Sequence, residues 1–151
     1  MLYTRRVTSD NAEFRSLVKL LDEELSLTYG EIQKQYDKLN KTEDIGTVVL
    51  GYNESEPLGC GCFKIFNKDS IEIKRMFVKA EARGSGIAQK ILLELENWAI
   101  EKGFAVSVLE TGIKQEVAMR FYTKLGYSII ENYGPYIGNS NSICMSKKLT
   151  Q

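Results

Sequence analysis

The pattern that most limits what this chain can fold into lies between residues 47 and 102, where the periodicity changes once and sharply. Residues 47–52, 58–66 and 71–78 are three β-rich runs, separated by the polar turns Asn53 to Pro57 and Asn67-Lys68-Asp69-Ser70. Runs joined by turns this short pair antiparallel, as a meander. Directly after them Gly84-Ser85-Gly86 opens a helix from Ile87 to about Lys102. Its apolar stripe is Ile87, Ala88, Ile91, Leu92, Leu95, Trp98 and Ala99, and Gly103 stops it.

The flanks extend this frame. Residues 2–7 predict a first strand. Asp10 and Glu13 have capping-box spacing ahead of a helix marked by Phe14, Leu17, Val18, Leu21 and Leu25. Beyond Thr28-Tyr29-Gly30, the residues Ile32, Tyr36 and Leu39 mark a second, shorter helix. Residues 104–109 are continuously apolar or small, as in a strand buried on both faces. A helix from about Gln115 to Leu125 ends at Gly126, and strands at 128–133 and 142–148 flank a Gly-rich loop. No repeat or linker interrupts the chain. The expectation is one α+β domain over 1–151, a mixed central sheet of about seven strands with about four helices.

Of the 151 residues, 43% are hydrophobic and 26% charged, with 20 basic side chains, 20 acidic ones and no histidine. The balanced charge gives no electrostatic reason for a nucleic-acid or anionic-membrane partner. No apolar run approaches the ~20 residues of a membrane span, and no apolar stretch of signal-peptide length follows the first charges. The absence of histidine excludes Ser-His-Asp and Cys-His catalysis and every His-ligated metal, so no metal site is expected. Cys60, Cys62 and Cys144 lack CxxC spacing and read as buried thiols in a reducing cytoplasm.

The stretch Arg83-Gly84-Ser85-Gly86-Ile87-Ala88 lies between a strand and a helix. Backbone N–H groups and the positive end of a helix dipole converge there, and glycines let a bulky anion approach. This suits a diphosphate; the bland alternative is a glycine-rich turn ahead of an ordinary capped helix. A P-loop is absent. The dinucleotide fingerprint would use Gly84 and Gly86 but finds Gln89 at its third glycine, although Glu110 stands where a ribose-binding acid would. An acyl-CoA loop is the third reading, and the preceding strand favours it. There Ile71 and Ile73 have one parity, Met76 and Val78 the other. One extra residue near Lys74-Arg75, a β-bulge, would reconcile them and free backbone groups for the two amides of a pantetheine arm.

The run Glu72-Ile73-Lys74-Arg75-Met76-Phe77-Val78, followed by Glu81-Ala82-Arg83-Gly84-Ser85-Gly86-Ile87-Ala88, resembles motif A of the GNAT superfamily of acyl-CoA-dependent N-acetyltransferases. Phe121-Tyr122-Thr123-Lys124-Leu125-Gly126-Tyr127 is similar to that family's FYxKxGF segment. Glu81 departs from the usual first position of the motif, where a Gln or Arg stands, and Gln115 replaces an Asn near the start of the following helix.

The resemblance implies a GNAT-like fold and acetyl-CoA as cosubstrate. Residues 83–88 would hold the diphosphate, the backbone of Met76, Phe77 and Val78 the pantetheine amides, and Gln115 the arm. It implies transfer of an acetyl group to a primary amine of a small molecule or peptide, by direct attack in a ternary complex. Tyr122 matches the tyrosine that donates a proton to the departing thiolate. Without histidine, carboxylates lead as the base, Glu72 first because it lies on the cofactor strand and Glu110 second. Tyr29, Tyr36, Tyr133 and Tyr136 would frame the acceptor, or simply pack. The family often forms homodimers. The alternative is a non-catalytic acyl-CoA or nucleotide-binding sensor.

Overall fold

The computed structural model describes residues 1–30 and 44–149. In chain order the elements are β1 (Leu2–Val7), α1 (Ala12–Tyr29), β2 (Val48–Asn53), β3 (Glu56–Ile65), β4 (Ser70–Val78), α2 (Ile87–Glu101), β5 (Val106–Gly112), α3 (Glu116–Lys124), β6 (Ser128–Ile130) and β7 (Ser142–Lys148). Short 3-10 turns occupy Ala80–Ala82 and Gly134–Tyr136. The seven strands form one sheet in the order β1-β2-β3-β4-β5-β7-β6. Only β4 and β5 run parallel; the other five pairings are antiparallel. The mixed α+β sheet expected from the sequence is therefore present. The described residues hold three α-helices, and the second helix expected around Ile32, Tyr36 and Leu39 lies outside them.

Three local expectations shift. The strand expected at 104–109 is β5, Val106–Gly112. The cap of α1 is Asn11 rather than Asp10: its side chain accepts the Phe14 N–H at 3.0 Å, while Asp10 takes the Thr8 hydroxyl. Glu13 is thereby free to accept the Tyr52 hydroxyl of β2. Strand β6 stops at Ile130 instead of residue 133. Asn132 Nδ2 lies 3.0–3.1 Å from the carbonyls of Tyr136, Asn139 and Ser142, which ties the loop to itself and to the first residue of β7 through a side chain instead of a strand ladder.

The sheet is covered on both faces. On one, Ile71, Ile73, Leu109 and Met145 pack with Ile87, Ile91, Leu92 and Leu95 of α2 and with Tyr122 of α3. On the other, Phe14, Leu17 and Leu21 of α1 meet Val48, Leu50, Cys60, Cys62 and Phe77. Helix α2 sits almost on the backbone of the meander, since a Cβ at Gly51 would fall 2.5 Å from Ile87 Cγ1. Burying an aliphatic side chain of this size contributes about 1.5–3 kcal/mol. With Ile87 and Ile91 both fully buried, the start of α2 is fixed on the sheet.

Strand β4 carries the bulge that its parity implies. Cys60 pairs with Phe77 but Cys62 with Lys74, so two steps of β3 match three of β4, and Arg75 takes a positive φ of 58°. Ile71, Ile73, Met76 and Val78 thereby all face α2, while Phe77 faces α1. The β4–β5 ladder runs from Ser70↔Val106 to Ile73↔Leu109 and stops. From there β4 stays with β3 as far as Val78 and β5 stays with β7 as far as Gly112. The sheet opens as a V between them.

Candidate active site

The phosphate-type loop lies at one side of this V. Gly84 and Gly86 have φ of 85° and 91°, conformations a side chain strongly disfavours, and Gly86 is the N-cap of α2 with no side-chain cap. No acidic residue occupies the first turn of α2. Among the described residues, the N–H groups of Gly84, Gly86 and Ala88 have no protein acceptor, and all but the half-buried Ala88 are exposed. Unpaired amides at the positive end of a 15-residue helix form an anion site. Arg83 stands beside it. Its Nε donates to the Val78 carbonyl at 3.0 Å, and its Nη2 lies 2.7 and 2.9 Å from the two oxygens of the Glu24 carboxylate of α1.

The V itself is a cleft with about 140 Å³ of open space. Leu21, Leu25 and Tyr29 wall it from α1, and Gln115, Ala118 and Tyr122 from α3. Tyr122 belongs to the α2–α3 face. Glu72, Lys74 and Glu110 have the opposite parity and point to the other face, where Tyr133, Tyr136 and Cys144 cluster. Two chemically different walls thus meet at one gap. Beyond Ile73, the β5 side of β4 has no strand partner, so the edge around Met76, Phe77 and Val78 is open to an extended ligand with amides.

Glu72 is buried, yet well partnered: Oε2 accepts the Tyr133 hydroxyl at 2.8 Å, and Oε1 is 3.9 Å from Lys74 Nζ. Lys74 Nζ also donates to the Tyr136 hydroxyl at 3.3 Å. Burial pushes the Lys74 pKa down, partly offset by Glu72 and Glu110. Burial pushes the Glu110 carboxyl up; a Ser142 hydrogen bond and Lys74 act against this, and the Glu72 charge adds to it. Burial alone raises the Tyr122 phenol, so its hydroxyl keeps its proton at neutral pH and can donate it. Tyr133 is raised by burial and then by Glu72. The Cys62 thiol is pushed up to about 12 by burial, and Cys60 and Cys144 move the same way, which leaves three unreactive thiols. Among the described residues, no three His, Cys, Asp or Glu groups are placed to hold a metal ion. No described helix is long and apolar enough to cross a membrane.

Against known proteins, residues 13–127 match the acetyltransferase (GNAT) family model. The chain belongs to the GNAT acetyltransferase family. It is a GNAT N-acetyltransferase, and acetyl-CoA is its cosubstrate. It is 28% identical over 146 residues to the uncharacterized N-acetyltransferase YsnE of Bacillus subtilis, covering 93% of this chain and 97% of that one. It is 36% identical over 93 residues to an IAA acetyltransferase of Azospirillum brasilense, a match spanning 61% of each chain. A Klebsiella pneumoniae structure assigned as an acyl-CoA N-acyltransferase superposes with TM-score 0.81 at 26% identity, covering 99% of this chain and 98% of that one. The PaiA N-acetyltransferase of Thermoplasma acidophilum, solved with coenzyme A, has the same fold at TM-score 0.73 and 20% identity, covering 98% and 99%.

Within this GNAT fold, Tyr122, Glu72, Glu110, Gln115, Met76, Tyr29 and Tyr136 all line the cleft, and Tyr133 bonds to a cleft carboxylate. Phe77 and Val78 continue the open edge of β4, and 83–88 forms the turn into α2. Tyr36 lies outside the described residues. Tyr29 is placed by a close approach: a Cβ at Gly112 would fall 1.7 Å from its hydroxyl, so only glycine at the end of β5 admits the phenol. Three charged residues at or beside the site were not singled out by the sequence. Lys74 could have been found from its Glu-x-Lys spacing on β4, which puts both side chains on one face. Asp22 pairs with the buried Arg75, and Glu24 with Arg83; both acids look like ordinary surface residues of α1.

Proposed function

We propose that this chain works as one domain over residues 1–151 that acetylates a primary amine of a small molecule or peptide, with Glu110 as general base and Tyr122 as general acid. The observation that carries the reading is the meeting of two walls at the V, with a protonated phenol on one and a carboxylate of raised pKa on the other. The residues present fit acetyl-CoA: the open amides of Gly84, Gly86 and Ala88 suit its diphosphate, the bare edge at Met76, Phe77 and Val78 its pantetheine amides, and Gln115 stands along the same gap. Arg83 and the Ser85 hydroxyl add polar contacts at the loop, and Ile87 anchors it from below. Acetyl-CoA, once bound, supplies an activated acetyl thioester.

A lysine-like amine with pKa near 10.4 is neutral about once in 10³ at pH 7, a cost of roughly 4–5 kcal/mol. Glu110 takes that proton. Its raised pKa brings it nearer the operating pH than an ordinary carboxylate, which favours it over Glu72, whose oxygens already serve Tyr133 and Lys74. A backbone N–H near Phe77 or Val78 polarises the thioester carbonyl. Tyr122 protonates the leaving thiolate. Tyr29, Tyr133 and Tyr136 shape the acceptor side. Three buried free thiols suit a reducing cytoplasm.

The test is thiol release from acetyl-CoA with a panel of amino acids, polyamines, aminoglycosides and peptide N-termini, plus IAA after the name of the Azospirillum relative. Glu110→Gln and Tyr122→Phe should each lower turnover about 10²-fold while acetyl-CoA still raises the melting temperature. Full turnover in either variant removes that residue from its role. Stabilisation by acetyl-CoA without release to any of these acceptors would overturn the assignment of the acceptor to these amine classes.

A further inference from the structure

Lys74 and Glu110 occupy a special place in the register. Ile73↔Leu109 is the last β4–β5 pair, so Lys74 and Glu110 are the first residue of each strand past the point of opening. Continued by one step, the ladder would set them opposite one another, on the face that also carries Glu72. Lys74 Nζ is 3.9 Å from Glu72 Oε1 and 3.3 Å from the Tyr136 hydroxyl, and it lies 6.0 Å from the centre of the Tyr136 ring. It also acts on Glu110 through space. Glu72 is further held by Tyr133, and Tyr133 packs edge-on to Tyr136 at 5.7 Å. A buried ammonium therefore serves two carboxylates that differ in their other donors.

We propose that Lys74 is a positioning residue of the cleft: its ammonium, shared between Glu72 and Glu110 and steadied by Tyr136, holds the Glu72 side chain in place and leaves Glu110 as the carboxylate that exchanges protons. The proposal rests on Glu110 as the base. Two carboxylates this close to one gap resist ionising together. Tyr133 and Lys74 both engage the Glu72 carboxylate. Glu110 keeps one hydrogen bond, from Ser142, and a share of Lys74. Other groups facing the pair are Cys62 and Lys64 from β3 and Cys144 from β7. Both thiols stay protonated, Lys64 is exposed on the rim, and the buried Arg75 of the cleft is paired with Asp22 of α1, which leaves Lys74 as the buried cation shared by the two carboxylates.

The titration needs no acceptor. The full chain, carrying ¹³C at the glutamate side-chain carboxyls, is titrated by NMR from about pH 3 to about pH 9, with Glu110→Gln and Glu72→Gln assigning the two signals. Lys74→Met should move the Glu110 midpoint up by about one unit, a tenfold change in proton affinity, and Lys74→Arg should restore it by returning the charge. A purely structural lysine would leave the midpoint where it was. Should Lys74→Met not fold, Lys74→Gln carries the same question, because it also removes the charge while keeping a polar end beside Tyr136. An unmoved Glu110 midpoint in either folded variant overturns the role of Lys74. Thiol release by Glu110→Gln is run beside it. Full release there overturns the base itself, and with it this proposal, whereas lost release with an unmoved titration removes Lys74 alone.

Discussion

Two polar sets built from the same residue types sit on opposite faces of the sheet. On the α2 face, buried Glu96 accepts Lys147 Nζ at 2.8 Å and the Tyr127 hydroxyl at 2.9 Å, and Tyr127 is 2.8 Å from Ser107 Oγ. Each charge there has a short, direct partner, and the set joins α2 to β5 and β7. On the cleft face, Glu72, Glu110, Lys74, Tyr133 and Tyr136 include a charge pair at 3.9 Å and a carboxyl with raised pKa. Composition does not separate the two sets. Closure does: a fully paired network locks elements together, whereas one cation shared by two carboxylates at a gap leaves a proton able to move.

Breaking the closed set should have the larger effect. Glu96→Ala strands Lys147 and Tyr127, and the loss should be about 3–5 kcal/mol, the usual cost of removing one partner of a buried pair. At this chain length that lowers the melting temperature by roughly 10 °C. A shift under about 2 °C would mean that solvent reaches Glu96 and that the two sets differ less than their distances imply.

Removing a carboxylate from the open set should act in the reverse direction. The folded-state pKa of Glu110 is raised, so the stability linked to its proton is complete below the ordinary glutamate range and declines as pH rises through the folded value. Gln cannot ionise. The melting temperature of Glu110→Gln should therefore gain on the parent between about pH 4 and about pH 8. Parallel melting curves across that range would show that burial does not raise Glu110.

The smallest effect concerns the surface. Arg83 is held by Glu24 with both side chains about half exposed, at 47% and 48%. Such pairs are worth less than about 1 kcal/mol. Glu24→Gln should free Arg83 for the anion loop and tighten acetyl-CoA about twofold by calorimetry, more at low salt than at high. Weaker binding would mean that Glu24 orients Arg83 instead of competing for it.

Much of the fold was legible because its signals are local. The meander, the glycine turn and the stripe of α2 depend on neighbours within a few residues, and so does the parity break that implied the bulge at Arg75. Where a reading slipped, a local competitor had won: Asn11 took the cap from Asp10, and Asn132 tied its loop before β6 could reach residue 133. The glycine turn at 83–88 and the place of Tyr122 beside the cleft were legible for the same reason, both lying in contiguous motifs.

The order of Glu72 and Glu110 could not be read that way. Nothing within a few residues of either says that Tyr133, 61 positions on, donates to Glu72, or that Ser142 bonds to Glu110. The chain alone specified which elements form, where an anion would be held and which phenol belongs to the cleft, because hydrogen bonding within a turn and side-chain periodicity are short-range. Tertiary structure decided where the sheet splits, which carboxylate is paired and which is poised, because burial and charge pairing are sums over groups that only folding brings together.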